Sequence, residues 1–95
     1  MPTLLVSHRV RDFDEWKQMF DNDPLGRAAS GVRRHRILRA SDHPNDVTVE
    51  LDFDTAPEAE SLRDRLQEMW ATAGPRLGLE SPRAWVVDIV ERKDY

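Results

Sequence analysis

From Val47 to Phe53 the chain alternates strictly. Val47, Val49, Leu51 and Phe53 are apolar, while Thr48, Glu50 and Asp52 between them are polar. A period of two over seven residues demands a β-strand with one face buried. The layer that buries it must come from elsewhere in 95 residues, and two segments have the spacing to supply it. Phe13, Trp16, Met19 and Phe20 form one helical stripe, and Ala59, Leu62, Leu66, Met69, Trp70 and Ala73 form a second. The first helix starts at an Asp12 cap, with Glu15 three residues on to reach back to the cap, and runs to about Asn22 ahead of Pro24. Thr55, Pro57 and Glu58 open the second, and Gly74-Pro75 stops it.

Three further strands complete the set. Thr3–Val10 is aliphatic and β-branched, and Val32–Ala40 and Arg83–Arg92 are the others. Residues Pro24–Gly31 form a connector in which Arg27–Ser30 has room for one helical turn. Ser41–Asp46 reads as a turn centred on Pro44-Asn45-Asp46, and Arg76–Pro82 reads as a loop. The order is β-α-β-β-α-β with no linker and no low-complexity segment, which predicts one domain over residues 1–95. The fold class expected is α+β and ferredoxin-like, with four antiparallel strands and both helices on one face. Right-handed crossovers put the first and third strands in the centre of the sheet.

The other sheet face is left without a cover. The fourth strand is apolar on both parities, with Ala84, Val86 and Val90 on one side and Trp85, Val87 and Ile89 on the other. Such a strand expects burial on both faces. A two-fold homodimer packed through its sheet faces and fourth strands would provide it. The alternative is a monomer with one semi-apolar exposed face.

Charge and composition exclude several classes. A net charge of −4 opposes nucleic acid, and the run Arg33, Arg34, His35, Arg36 and Arg39 splits between two strand faces. There is no cysteine, hence no disulfide and no thiolate site, which is compatible with a cytoplasmic location. No apolar run is long enough for a membrane span, and Met1–Val10 lacks the plan of a signal peptide. No phosphate-binding glycine motif, nucleophile elbow or clustered histidine pair occurs, so no nucleotide, metal or other cofactor is expected.

The stretch from His8 to Lys17, Gly31-Val32 before the second strand, and Pro44-Asn45-Asp46-Val47 before the third carry a likeness. Over roughly residues 3–92 the chain resembles the dimeric α/β-barrel superfamily, above all the small antibiotic biosynthesis monooxygenase-like proteins. The resemblance implies two sheets closed into a barrel and a cleft in each protomer between sheet and helices. It also implies an activity drawn from cofactor-independent oxygenases, haem-degrading enzymes, lactone isomerases and proteins of no assigned function.

His8 shares its strand face with Leu4, Val6 and Val10, and its ordinary pKa suits proton transfer near neutrality. It is the candidate acid or base, and a structural histidine near the first helix is the plain alternative. Trp16, Phe20, Met69 and Trp70 are core by default, and they could also wall a cleft for a flat organic ligand. Glu50 points away from the helices and must be paired or wet, with Arg34, Arg36 or Arg9 as partner. Arg36 is also the candidate anion contact. The leading expectation is a small homodimeric enzyme acting on an aromatic or polyketide-like ligand. The other is a non-catalytic dimeric module that binds a small molecule or a partner.

Overall fold

The computed structural model describes residues 1–95. Its elements are β1 (Pro2–Val10), α1 (Phe13–Asp21), β2 (Val32–Ala40), β3 (His43–Phe53), α2 (Ala56–Ala73) and β4 (Leu79–Asp88). The strands make one antiparallel sheet in the order β2-β3-β1-β4, so the first and third are central. This is the ferredoxin-like α+β fold that the sequence order predicts.

The alternation of β3 sets the layers. Val47, Val49, Leu51 and Phe53 are buried under the helices, as are Leu4, Val6 and Val10 of β1. Trp16 of α1 and Ala59, Leu62 and Trp70 of α2 close over them. Asp12 caps α1, accepting from the backbone N–H of Asp14 at 2.9 Å and of Glu15 at 3.2 Å. The Glu15 carboxylate does not return to the cap, because Arg11 takes it. In α2, the Thr55 hydroxyl donates to the Glu58 carboxylate at 2.9 Å, and the Glu58 N–H points back to it at 3.4 Å.

Two expected boundaries move. The β2–β3 reversal occupies Ser41-Asp42 alone, and β3 begins at His43. Pro44, Asn45 and Asp46 are an excursion of the strand, lying between the Arg39–Val47 and Ala40–His43 pairs. A proline that cannot donate to its neighbour is accommodated by such an irregularity. The fourth strand begins at Leu79 and not at Arg83. It absorbs Ser81-Pro82 in a bulge and stops at Asp88, because its neighbour β1 has run out at Pro2. Ile89 and Val90 therefore lie beyond the sheet, and Val90 is almost fully exposed.

On the uncovered face stand Leu5, Trp85 and Val87, with Leu38 of β2 at the far edge. Leu4 and Leu5, adjacent in sequence, thus test the two faces. Leu4 is completely buried. Leu4→Ala is expected to cost about 2–5 kcal/mol of unfolding free energy, read by urea denaturation. A cost under 1 kcal/mol would contradict the layer assignment.

Candidate functional site

Between the helices and the sheet lies a partly enclosed cavity of about 90 Å³. Its floor is Val6 and His8 of β1 with Val49 and Leu51 of β3. Its walls are Trp16, Met19 and Phe20 of α1 and Leu62, Leu66, Met69 and Trp70 of α2. Asp23, Pro24, Leu25 and Arg27 of the α1–β2 connector close the remaining side. The helical stripes that bury the sheet therefore also build the cavity.

His8 is its principal polar side chain on the sheet. The residue is only 7 % exposed, and Nδ1 has no hydrogen-bond partner. Its ring meets that of Trp16 in a T-shaped arrangement, with centroids 5.4 Å apart. Trp16 stacks obliquely on Phe20 at 5.2 Å. Burial pushes the imidazole pKa below its ordinary value; the residue's own backbone carbonyl, close to the ring but outside hydrogen-bond geometry, opposes this only in part. At neutral pH the ring is uncharged and carries a lone pair ready to accept a proton.

The sheet is irregular at this position. Ser7 pairs with Arg83 and Arg9 with Glu80, so Ser81 and Pro82 together oppose His8. Ser81 has φ +51°, a conformation that is strained for a residue with a Cβ. The bulge opens a polar hollow on the other side of His8, lined by Ser7, Arg9, Thr48, Glu80, Ser81 and Arg83 among others. His8 thus borders both the apolar cavity and the polar hollow.

The structure brings five of the seven expected residues together: His8, Trp16, Phe20, Met69 and Trp70 all border the cavity. Arg36 and Glu50 do not join them. They face each other across β2 and β3 on the uncovered side of the sheet, 3.4 Å apart. Arg36 therefore cannot be an anion contact for a ligand held by His8 in the same protomer. The reason is parity, since Arg36 pairs with Glu50 and the row containing Glu50 is the open one.

Other arginines of β2 are likewise engaged. Arg34 reaches Asp52 at 2.7 Å, and Arg33 is paired with Asp54. Burial would raise the pKa of Asp52, but hydrogen bonds from Thr3 and Arg34 together hold it below the usual carboxylate range. Asp46 is lowered by its hydrogen bond from Arg9.

Sequence reasoning missed Asp23 and Arg27. Nothing in PLGRAASG marks a polar pair that closes over an apolar space. The nearest signal is Pro24, which marks only the end of the first helix.

No protein-family model matches the chain, and no curated protein matches it. Solved structures do. A candidate antibiotic biosynthesis monooxygenase from Deinococcus radiodurans has a TM-score of 0.67 at 7% identity, over 100% of this chain and 98% of that one. One from Bordetella bronchiseptica has a TM-score of 0.64 at 18% identity, over 95% and 97%. A dimeric ferredoxin-like protein from an uncultured marine organism has a TM-score of 0.61 at 9% identity, over 99% and 98%. At these identities the shared property is the fold. The ferredoxin-like α+β fold of the single chain is thus shared along its whole length.

The buried neutral histidine fixes a pH dependence. Protonation is easier in the unfolded chain than in the fold, so stability is full above the ordinary histidine pKa of about 6.5 and falls as pH drops below it. Asp46 and Asp52 act in the same sense at lower pH, from about 4 downward. Urea midpoints between about pH 8 and 5 are expected to fall in the native protein. His8→Phe should flatten that first decline, and an unchanged profile in the variant would show that His8 is not its source.

Proposed function

We propose that the chain is a homodimeric, monooxygenase-like protein that binds a small hydroxylated aromatic compound in the cavity between helices and sheet. The observation that supports this most is the partnerless Nδ1 of His8 in an aromatic-lined space. A buried polar atom is normally satisfied, and a ligand hydroxyl would satisfy this one. Trp16, Phe20 and Trp70 offer ring faces and edges, and Met69 adapts to an irregular outline. His8 would take the hydroxyl proton, leaving an electron-rich phenolate; dioxygen as co-substrate and oxidant would then put one oxygen on a ring carbon to give a quinone, and its other oxygen would leave as water with the two displaced hydrogens. The sheet gives the cavity no charged group, and the two charges of the connector, Asp23 and Arg27, are paired with each other, which favours a neutral ligand over an anion.

The dimer belongs to the same reading. Trp85 is 36 % exposed and Leu38 37 %, both on a sheet face that this chain leaves uncovered. Proteins of the same fold include ones described as dimeric. Packing face to face would bury β4 and β1 through Trp85, Val87 and Leu5, leaving the Arg36–Glu50 and Arg34–Asp52 pairs within a polar barrel interior. Those spent pairs favour the second reading, a non-catalytic dimeric module, for that interior, because each carboxylate already has its arginine.

Two measurements test the proposal. 1-Naphthol binding is read by tryptophan fluorescence, and His8→Phe is expected to weaken it roughly tenfold, the worth of one buried hydrogen bond. Equal affinity in a variant with native circular dichroism would remove His8 from the site. Sedimentation at tens of micromolar should give twice the 11.0 kDa chain mass, and Trp85→Glu should return the single-chain mass. A native species already at the single-chain mass would end the dimer reading.

A further inference from the structure

At about 90 Å³ the cavity is smaller than the roughly 150 Å³ that admits benzene in a protein interior. A two-ring ligand needs it to open. Of the walls, β1, β3 and β4 are locked in the hydrogen-bonded sheet, and α2 packs closely on β1, β3 and β4. Helix α1 is different. Its backbone stands off from the sheet, which it reaches through Trp16, Phe13 and Phe20. After it comes the ten-residue connector 22–31, the one wall without regular structure.

Backbone hydrogen bonds such as Val32 N–H to the Arg27 carbonyl shape that connector, and the Arg27 side chain ties it to α1. Its Nη1 donates to the Phe20 carbonyl at 2.7 Å, at the end of α1, and its guanidinium carbon lies 3.7 Å from the centre of the Phe20 ring. The Arg27 N–H donates to the Asp23 carboxylate at 2.9 Å, and Nη1 lies 3.4 Å from the same oxygen. Asp23 sits at φ +52°, a strained state for a non-glycine residue. Arg65 of α2 fixes the far end of the connector through the Ser30 hydroxyl. One side chain thus ties together the end of α1, a strained turn and a cavity wall.

We infer that Arg27 is a latch: the connector and the end of α1 swing as a lid over the His8 cavity, and the ligand passes only when Arg27 releases Phe20 and Asp23. This rests on the proposed ligand site for its purpose, but the motion itself is tested without a ligand. Backbone hydrogen exchange is compared in the native protein, Arg27→Ala and Arg27→Lys. In Arg27→Ala the amides of Gly26, Arg27 and Ser30–Val32 should exchange roughly tenfold faster, with those of β1 and β3 unchanged. Lysine keeps the charge beside Asp23 but loses the planar fork, and should fall between the two. Unchanged connector exchange, or faster exchange spread equally over β1 and β3, overturns the latch. Should the alanine variant fail to fold, the lysine variant decides by the same criterion.

Stopped-flow 1-naphthol binding then reads the gate. Association with Arg27→Ala should be at least about fivefold faster than with the native protein, and equal rates overturn the gating role. If the native protein binds no 1-naphthol, the ligand reading fails, and hydrogen exchange alone judges the latch.

Discussion

Two helices can shield only one face of a four-stranded sheet, and here both lie on the same one. Every other feature follows from how the chain spends that cover. The period-two row of β3 goes under the helices because it has no polar member. The polar row goes outward, where Glu50 meets the Arg36 guanidinium and Asp52 meets the Thr3 hydroxyl and the Arg34 guanidinium. The cost of this division falls on Leu5, Trp85 and Val87, which share the outward face with charge pairs worth little in water. A second copy of the sheet is the cover we propose.

The buried side holds one group that does not belong in an apolar layer. His8 follows the parity of Leu4, Val6 and Val10, so strand geometry alone drives its ring under α1. Desolvation then keeps the ring neutral, and Trp16 shields it. A hydrogen bond to a neighbouring side chain would have made it a core histidine. The chain offers none to Nδ1. The bulge at Ser81-Pro82 sits opposite the same residue, so the sheet is loosened where the polar atom is left over. Buried polarity, backbone strain and an adjoining hollow coincide at one position, which is why the site is read there.

Much of this was legible in the sequence, and the misses have physical causes. Periodicity fixed the element order, the central strands and the row of β3, because those depend only on which residues shun water. It also put Trp16, Phe20, Met69 and Trp70 on the stripes that wall the cavity. It does not reach Pro44 and Pro82, breaker residues whose local composition predicts a turn or loop. In both cases the strand continues through an irregularity, a choice made by neighbouring strands and invisible in local composition. The reach of the last strand to Arg92 failed similarly, since Ile89 and Val90 have strand character but no partner beyond Pro2. Arg36 is one of the partners that strand parity offers Glu50, and the structure pairs them; the same parity takes Arg36 away from His8 as an anion contact. Asp23 and Arg27 were missed because a salt bridge across a connector leaves no periodic trace.

The difference between the two helices gives the fold a direction of compliance. Helix α2 has eighteen residues, a hydroxyl cap at its start and close backbone approach to three strands. Helix α1 has nine residues and no basic side chain in its last turn to offset the exposed carbonyls. Arg27 supplies from the connector the cation that the helix itself lacks, and it does so by donating to the Phe20 carbonyl. The Phe20 carbonyl, which also accepts the Asp23 N–H at 3.0 Å, thus gains a charged donor that can leave. A helix that meets the sheet through aromatic side chains can tilt on them without breaking a backbone ladder. The side of the cavity bordered by α1 and the connector is therefore where the fold yields at least cost, and His8 lies beneath it.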